Sequence, residues 1–241
     1  MFGMRRLLAV IALTSAVAAP ATACSPSQAP STSASNLAGR PLPDSAALLK
    51  QSSTATKNLK SVHLVLGVTG KIEAMSIKSL DGDVTNEPST AAKGKATIMI
   101  MGASVDIDFV VFGGHLYALL PGGAWHDYGP ASKVSDVVSI LNPHTGLANL
   151  LTDFVDPKAE ARETIDGQQT IRIVGKVTAD AANKVVPPLD ATKKVSSTVW
   201  IQENGDHQLV RATLAPTEED AVQMTLSGWN APVTVVKPAG A

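Results

Sequence analysis

The chain has 241 residues, 44% hydrophobic and 17% charged, with only 4% aromatic and a formal net charge of −1. It shows no basic run and no aromatic–basic interleaving, which argues against a nucleic-acid partner. A single cysteine, Cys24, excludes an internal disulfide framework and a cysteine-only zinc site.

The first segment has three parts. Arg5 and Arg6 form a basic head, Leu7–Ala19 an apolar run, and small residues lead into Cys24. This is the layout of a secretory signal, and the run is too short to span a bilayer comfortably. "ATAC" resembles a bacterial lipobox, with Ala23 as the small residue that cleavage needs and Ala21 where Leu, Ile or Val is usual. Cys24 is accordingly read as an acylated membrane anchor; an ordinary signal peptide with a cysteine beside its cleavage site is the alternative. Loss of residues 1–23 removes Arg5 and Arg6 and no acid, so the formal charge moves from −1 to −3. Residues 24–43, rich in Ser, Pro, Ala and Thr, read as a solvated tether, as suited to O-glycosylation as to a plain linker.

The body, residues 44–238, is expected to be one domain. Asp44 is a natural N-cap for an amphipathic helix through about residue 59. Strand patterns follow. "VHLVLGVTGKI" places Val62, Leu64, Leu66 and Val68 on one face. "IKSLDGDV", "KATIMIMG", "VDIDFVVFGG" and "HLYALL" continue as antiparallel strands joined by tight turns. Both faces of "ATIMIM" are apolar, so that strand is expected to be covered on both sides. Trp125 is expected to anchor a turn. The period then becomes helical: Val134, Val137, Val138 and Leu141, an Asn142–Pro143 break, then Leu147, Leu150, Leu151 and Phe154. Strands resume with "AEARETI", "QTIRIVGKV", "STVWIQE", "HQLVRATL" and "AVQMTLSGW", with a small helix in "TADAANKVV"; Trp200 and Trp229 are expected to pack on helices. The fold class is α+β: a single domain with a large, curved antiparallel sheet whose concave face is closed by a few helices; the resemblance given below implies that this is a half-barrel around a large apolar cavity.

A search for catalytic chemistry finds no nucleophile elbow, zinc-protease motif, P-loop or dinucleotide fingerprint. The histidines, His63, His115, His126, His144 and His207, are scattered, and a metal site would have to be assembled from them in space. Asp106 and Asp108 share a strand face, as do Asp81 and Asp83, and both pairs read more simply as solvated than as catalytic. No cofactor is expected, and the chain is not expected to be an enzyme. Apolar surface beyond an ordinary sheet's need, together with an anchor, suggests a hydrophobic carrier. A filled structural or adhesin-like lipoprotein and a glycolipid hydrolase are the rivals.

The segments "SVHLVLGVTGKI", "LDGDVTNEPSTAAKG", "DFVVFGGHLYA", "ILNPHTGLANLL", "STVWIQENGDHQLV" and "VQMTLSGWN" resemble the mycobacterial cell-envelope lipoproteins of the LppX/LprA/LprF/LprG type, over about Pro41 to Pro238. The resemblance implies a half-barrel like that of bacterial lipoprotein-localisation factors. Its cavity would hold the acyl chains of triacylated glycolipids (phosphatidylinositol mannosides, lipomannan, lipoarabinomannan) or of triacylglycerides. It also implies a major-facilitator efflux partner and Toll-like receptor 2 agonism. The signal layout and Cys24 point to export and anchoring on the outer face of the cell membrane, with the cell wall or secretion as further destinations, and a monomer is expected. The expected cavity wall is Leu64, Leu66, Val68, Ala96, Ile98, Ile100, Val111, Leu141, Leu147, Leu150 and Leu151; the expected lipidation site is Cys24.

Overall fold

A computed structural model describes residues 40–134 and 136–241. Cys24 and most of the expected tether lie outside the described residues. Helix α1 (Ser45–Lys57) starts where expected, the Ala47 N–H donating to Asp44 Oδ1 at 2.7 Å. Six strands follow: β1 (Ser61–Thr69), β2 (Ile77–Thr85), β3 (Ala91–Ile100), β4 (Ala103–Phe112), β5 (His115–Leu119) and β6 (Trp125–Pro130). A helical segment comes next, with α2 (Ala131–Val134), a 3-10 turn (Val137–Leu141) and α3 (Leu147–Thr152). The chain then runs through β7 (Phe154–Ile165), β8 (Gln168–Val177), α4 (Ala179–Val185), a second 3-10 turn (Pro187–Leu189), β9 (Val195–Gln202), β10 (Leu209–Ala215) and β11 (Ala221–Ser227). No helix among the described residues is long and apolar enough to cross a membrane.

All eleven strands form one antiparallel sheet in the order β6-β5-β4-β3-β2-β1-β11-β10-β9-β8-β7. It is an open, curved sheet, the α+β half-barrel expected from the sequence. The two meanders meet at the β1–β11 seam, where Leu64 faces Leu226, Leu66 faces Met224 and Val68 faces Val222. Gly82 and Gly94 face each other across β2 and β3. A Cβ on either would run into the backbone of the opposite strand, so glycine permits the sheet to coil tightly there.

Strand alternation sorts the side chains. Val62, Leu64, Leu66, Leu80, Val84, Ala92, Phe109, Val111, Ile171, Ile173, Val199, Ile201, Ala212, Leu214, Val222, Met224 and Leu226 are buried on the concave face, under the helices. The core residues all lie between Leu42 and Trp229, so the segment from Pro41 onward carries its own core.

Three expectations about the convex face are corrected. β3 is not covered on both sides: Thr97 donates to Asp106 Oδ1 at 2.7 Å, Ser104 Oγ donates to Met99 Sδ at 3.3 Å, and Met101 is fully exposed. The apolar residues on that side lie toward the strand's free end, where β2 no longer runs beside it. Trp125 opens β6 rather than a turn, pairing with Leu119. Trp200 lies on the convex side, its Nε1 donating to Glu163 Oε2 at 2.7 Å and its ring under the Arg211 guanidinium at 5.8 Å, not against a helix.

The β7 edge is blunted: it carries Pro157 within one register shift, a second shift between Ala159 and Ala161, and the charged Lys158, Glu160 and Glu163. After β11 the tail crosses the convex face: the Asn230 N–H donates to Ser61 O at 2.9 Å, Lys93 Nζ donates to Thr234 O at 2.9 Å, and Lys237 Nζ lies 5.3 Å over the ring of Tyr117, which is buried.

Helix α1 buries Ser52, Ser53 and Thr56 beside Leu48 and Leu49. Ser53 Oγ donates to Ala148 O at 2.7 Å, binding α1 to α3. The Ser52 and Thr56 hydroxyls are buried and find no partner among the described residues. Leaving such a group unpaired costs about 1–3 kcal/mol, and alanine is the better helix former. Ser52→Ala is therefore expected to raise unfolding stability by about 1 kcal/mol, measured by urea titration, whereas Ser53→Ala lowers it.

Candidate functional site

Because β6 and β7 lie at opposite edges of the sheet, the chain between them must cross its concave face. The break at Asn142–Pro143 shapes that crossing. Asn142 Oδ1 accepts from the His144 N–H at 2.9 Å and the Thr145 N–H at 3.2 Å, a side-chain turn that redirects the backbone. Gly146 follows, packed so closely on Ile140 that a Cβ would collide with its carbonyl. Asn86 Nδ2 donates to Leu141 O at 3.3 Å and fixes the 3-10 turn to the β2–β3 connection.

Between this cover and the sheet lies a cavity of about 270 Å³. Leu66, Leu80 and Met224 form its floor; Val137 and Ile140 of the 3-10 turn, together with Val185 and Val186, form its roof. Ala74–Ile77 and Pro187–Pro188 border it, and Ser76, Ser132, Lys133 and Asp136 supply its polar groups. It lies at the end of the sheet where β1 finishes and β2 begins. Apolar walls with a few polar groups are the chemistry of a site for an amphipathic ligand.

The sequence-expected wall residues distribute unevenly. Leu66 lines this cavity. Leu64, Val111, Leu141, Leu147, Leu150 and Leu151 are sealed in the core under the helices, and Val68 and Ile98 pack against that core half-buried. Ala96 is buried in the sheet and borders a groove on the opposite side. Ile100 departs from the expectation: it is 37% exposed at the end of β3, beyond the last β2 partner and outside the cavity lining. Sequence reading missed Leu80, Ile140, Met224 and the Val185–Pro188 stretch as wall residues. Leu80 and Met224 follow from the same alternation as Leu66, whereas the Val185–Pro188 contact is tertiary and has no local signal.

A larger concavity, about 630 Å³, lies on the convex side over β2–β4 under the Leu120–Gly123 turn. Asp81, Lys95, Thr97, Asp106 and Asp108 ring it, so its chemistry is wrong for acyl chains despite its size. Asp106 accepts from Thr97, and Asp108 lies 3.5 Å from Lys95 Nζ; neither aspartate is arranged with the other as an acid–base pair. His63 stands between Asp83 at 2.9 Å and Asp81 at 3.4 Å, and His115 is 2.9 Å from Asp127. The Asp127 carboxyl is held below the usual carboxylate range, first by the Gly129 N–H and then by His115. Among the described residues no group of three or more His, Cys, Asp or Glu is placed to hold a metal ion.

Residues 44–235 match the model of the family described as "LppX_LprAFG lipoprotein". The chain is 49% identical to the lipoarabinomannan carrier protein LprG of Mycobacterium tuberculosis over 233 residues, 97% of this chain and 95% of that one. It is 48% identical to the protein of the same name from Mycobacterium leprae, over 97% of this chain and 96% of the other. Among solved structures, LprF from Mycobacterium bovis superposes with a TM-score of 0.76 at 32% identity, covering 84% of this chain and 100% of that one. LppX from Mycobacterium tuberculosis gives 0.64 at 33% identity, covering 80% and 98%.

Sealed core and cavity floor are distinguishable by mutation. Leu150→Ala, fully enclosed beneath the cover, is expected to cost about 2–5 kcal/mol. Leu66→Ala, whose side chain already borders open space, is expected to cost distinctly less. Paired urea titrations check the difference, and equal costs would contradict the assignment of Leu66 to a cavity wall.

Proposed function

The chain belongs to the LppX_LprAFG lipoprotein family, and from that premise we propose that it is a cell-envelope lipid carrier, anchored through acylated Cys24, that takes the acyl chains of triacylated glycolipids or triacylglycerides under its helical cover. The cargo class would include lipoarabinomannan, the lipid in the names of relatives about half identical to it, with lipomannan and phosphatidylinositol mannosides drawn from the family resemblance. Handover would involve a major-facilitator efflux protein, a partner drawn from the family resemblance. The observation that carries the reading is the apolar cavity between Leu66, Leu80 and Met224 on the sheet and Val137 and Ile140 on the cover.

Energetics favour exchange over capture. Transfer from water would be worth about 0.8 kcal/mol per methylene, which for three acyl chains exceeds any real affinity. The relevant transfer is from bilayer to cavity, apolar at both ends, so the hydrophobic terms nearly cancel and an aliphatic lining suffices. A tether of this composition would keep the donor bilayer within roughly 25 Å of the domain. At about 270 Å³ the cavity is too small for three acyl chains. Loading therefore requires the cover, residues 131–152, to move away from the sheet. Its attachments include few polar bonds: Asn86 to Leu141, Ser53 to Ala148, and the Ala131 N–H to Gly114 O at 2.9 Å.

Native mass spectrometry with lipid extraction, on protein purified from a mycobacterial host, tests the proposal. Acylated glycolipid or triacylglyceride is expected to co-purify with the wild-type chain. Ile140→Trp, which fills the cavity from its roof, is expected to abolish that cargo while leaving the far-UV spectrum unchanged. A clean unliganded mass with no uptake of added lipid would overturn the carrier reading and leave a structural lipoprotein.

A further inference from the structure

The β3–β4 hairpin outruns its neighbours. Pairing with β2 stops at Ile98 opposite Ile77, and pairing with β5 stops at Asp108 opposite Leu119. The turn at Met101–Gly102 stands roughly 10 Å further on, at about 3.4 Å per residue. Its side chains are apolar, with Met101 fully exposed at 104% and Ile100 partly so at 37%. Residues 96–105, "ATIMIMGASV", contain no charge, and neither do residues 116–125, "LYALLPGGAW", whose Leu120–Ala124 turn and Trp125 lie at the same end of the sheet. Met101 and Ile100 make the hairpin tip itself apolar, whereas the groove between it and the Leu120–Gly123 turn carries Lys95, Asp106 and Asp108.

Local backbone chemistry sharpens the point. Met101 and Gly102 both have positive φ, 49° and 84°. A two-residue turn of this kind favours Asn–Gly, and an unbranched apolar side chain is among its poorer occupants. Methionine, the most exposed of the large apolar side chains among the described residues, therefore opposes both turn preference and solvation. The tip also adjoins the cavity: the Met99 N–H donates to Ser76 O at 2.7 Å, and Ser76 is itself a wall residue.

We infer that this hairpin tip is a membrane-contact element: Met99–Met101, flanked by Leu120–Trp125, dip into the interfacial zone of a lipid bilayer and set the cavity mouth against it. A charge-free tip matches the uncharged acyl boundary that the headgroups cover, and an aromatic ring at its flank suits the headgroup level. The contact is continuous with the route by which cargo would enter, and to that extent it rests on the carrier reading. It is distinct from the Cys24 anchor, which would hold the protein near a membrane without orienting it.

The test uses the chain from Ser25 onward, which retains the whole core and lacks leader and anchor, with vesicles of phosphatidylethanolamine and phosphatidylinositol in a flotation assay. Wild-type chain is expected to associate, and Met101→Asn to associate about tenfold more weakly, the loss expected from keeping one apolar side chain out of the bilayer. The same variant is expected to be as stable as wild type or more so, because asparagine suits the turn, and to retain cargo by native mass spectrometry. Equal flotation of the two chains, or flotation of neither while cargo is retained, would overturn the contact element and leave the carrier reading standing. Loss of a dimer on Met101→Asn, without change in flotation, would overturn it in favour of self-association. Tip-dependent flotation by a chain that holds no lipid would support the contact while removing the carrier reading.

Discussion

The β1–β11 seam is the constraint on which the remaining architecture depends. The first six strands descend from β1 toward one edge and the last five return from the other edge to β11, so the two halves become one sheet only through this pairing. Its register places Leu64, Leu66, Leu226 and Met224 together on the concave face. A slip of one residue would turn those side chains outward and bring His63, Val65, Gln223 and Thr225 under the helices. The cavity floor and the seam are thus one feature seen from two directions, since Leu66 and Met224 are partners in both.

From that seam the cover follows. With β6 and β7 at the far edges, the connecting chain has to bridge a sheet whose arc measures on the order of 48 Å at about 4.8 Å per strand. It does so in short pieces, not as one helix, because Asn142–Pro143 interrupts the apolar periodicity and Gly146 lets the next turn pack against Ile140. α1, made first, supplies the counter-surface through Ser53 and Ala148. The order of the chain assigns the cover's job before any individual contact is considered.

Much of this was legible in the sequence, for physical reasons that can be named. Period-two alternation placed Leu64 and Leu66 on the inner face, and it extends to Leu80 and Met224 by the same rule. The Asp44 cap and the Asn142–Pro143 break are local signals and were read as such. What sequence could not supply was where each strand loses its neighbour. Ile98 and Ile100 look alike in an alternating pattern, yet Ile98 packs against the core while Ile100 is more exposed, because the β2 ladder ends at Ile98. The same applies to Trp125, paired with Leu119, and to Trp200, which meets Glu163 and Arg211, contacts set by tertiary placement. The cavity's roof at Val185 and Val186 comes from a different crossover altogether.

The sheet's two free edges have a further meaning. A closed barrel fixes its interior volume by strand number and shear, and cannot swell without breaking hydrogen bonds. Here β6 and β7 have no mutual ladder, so curvature can relax and the cover can lift while every strand keeps its partners. A container of this kind has compliant walls, and compliance is a poor ruler for the length or branching of an aliphatic chain. Discrimination among ligands would then fall to the rim, to Ser76, Ser132, Lys133 and Asp136, where hydrogen bonds and charge are directional. Such a protein would sort molecules by their polar ends and tolerate wide variation in their tails.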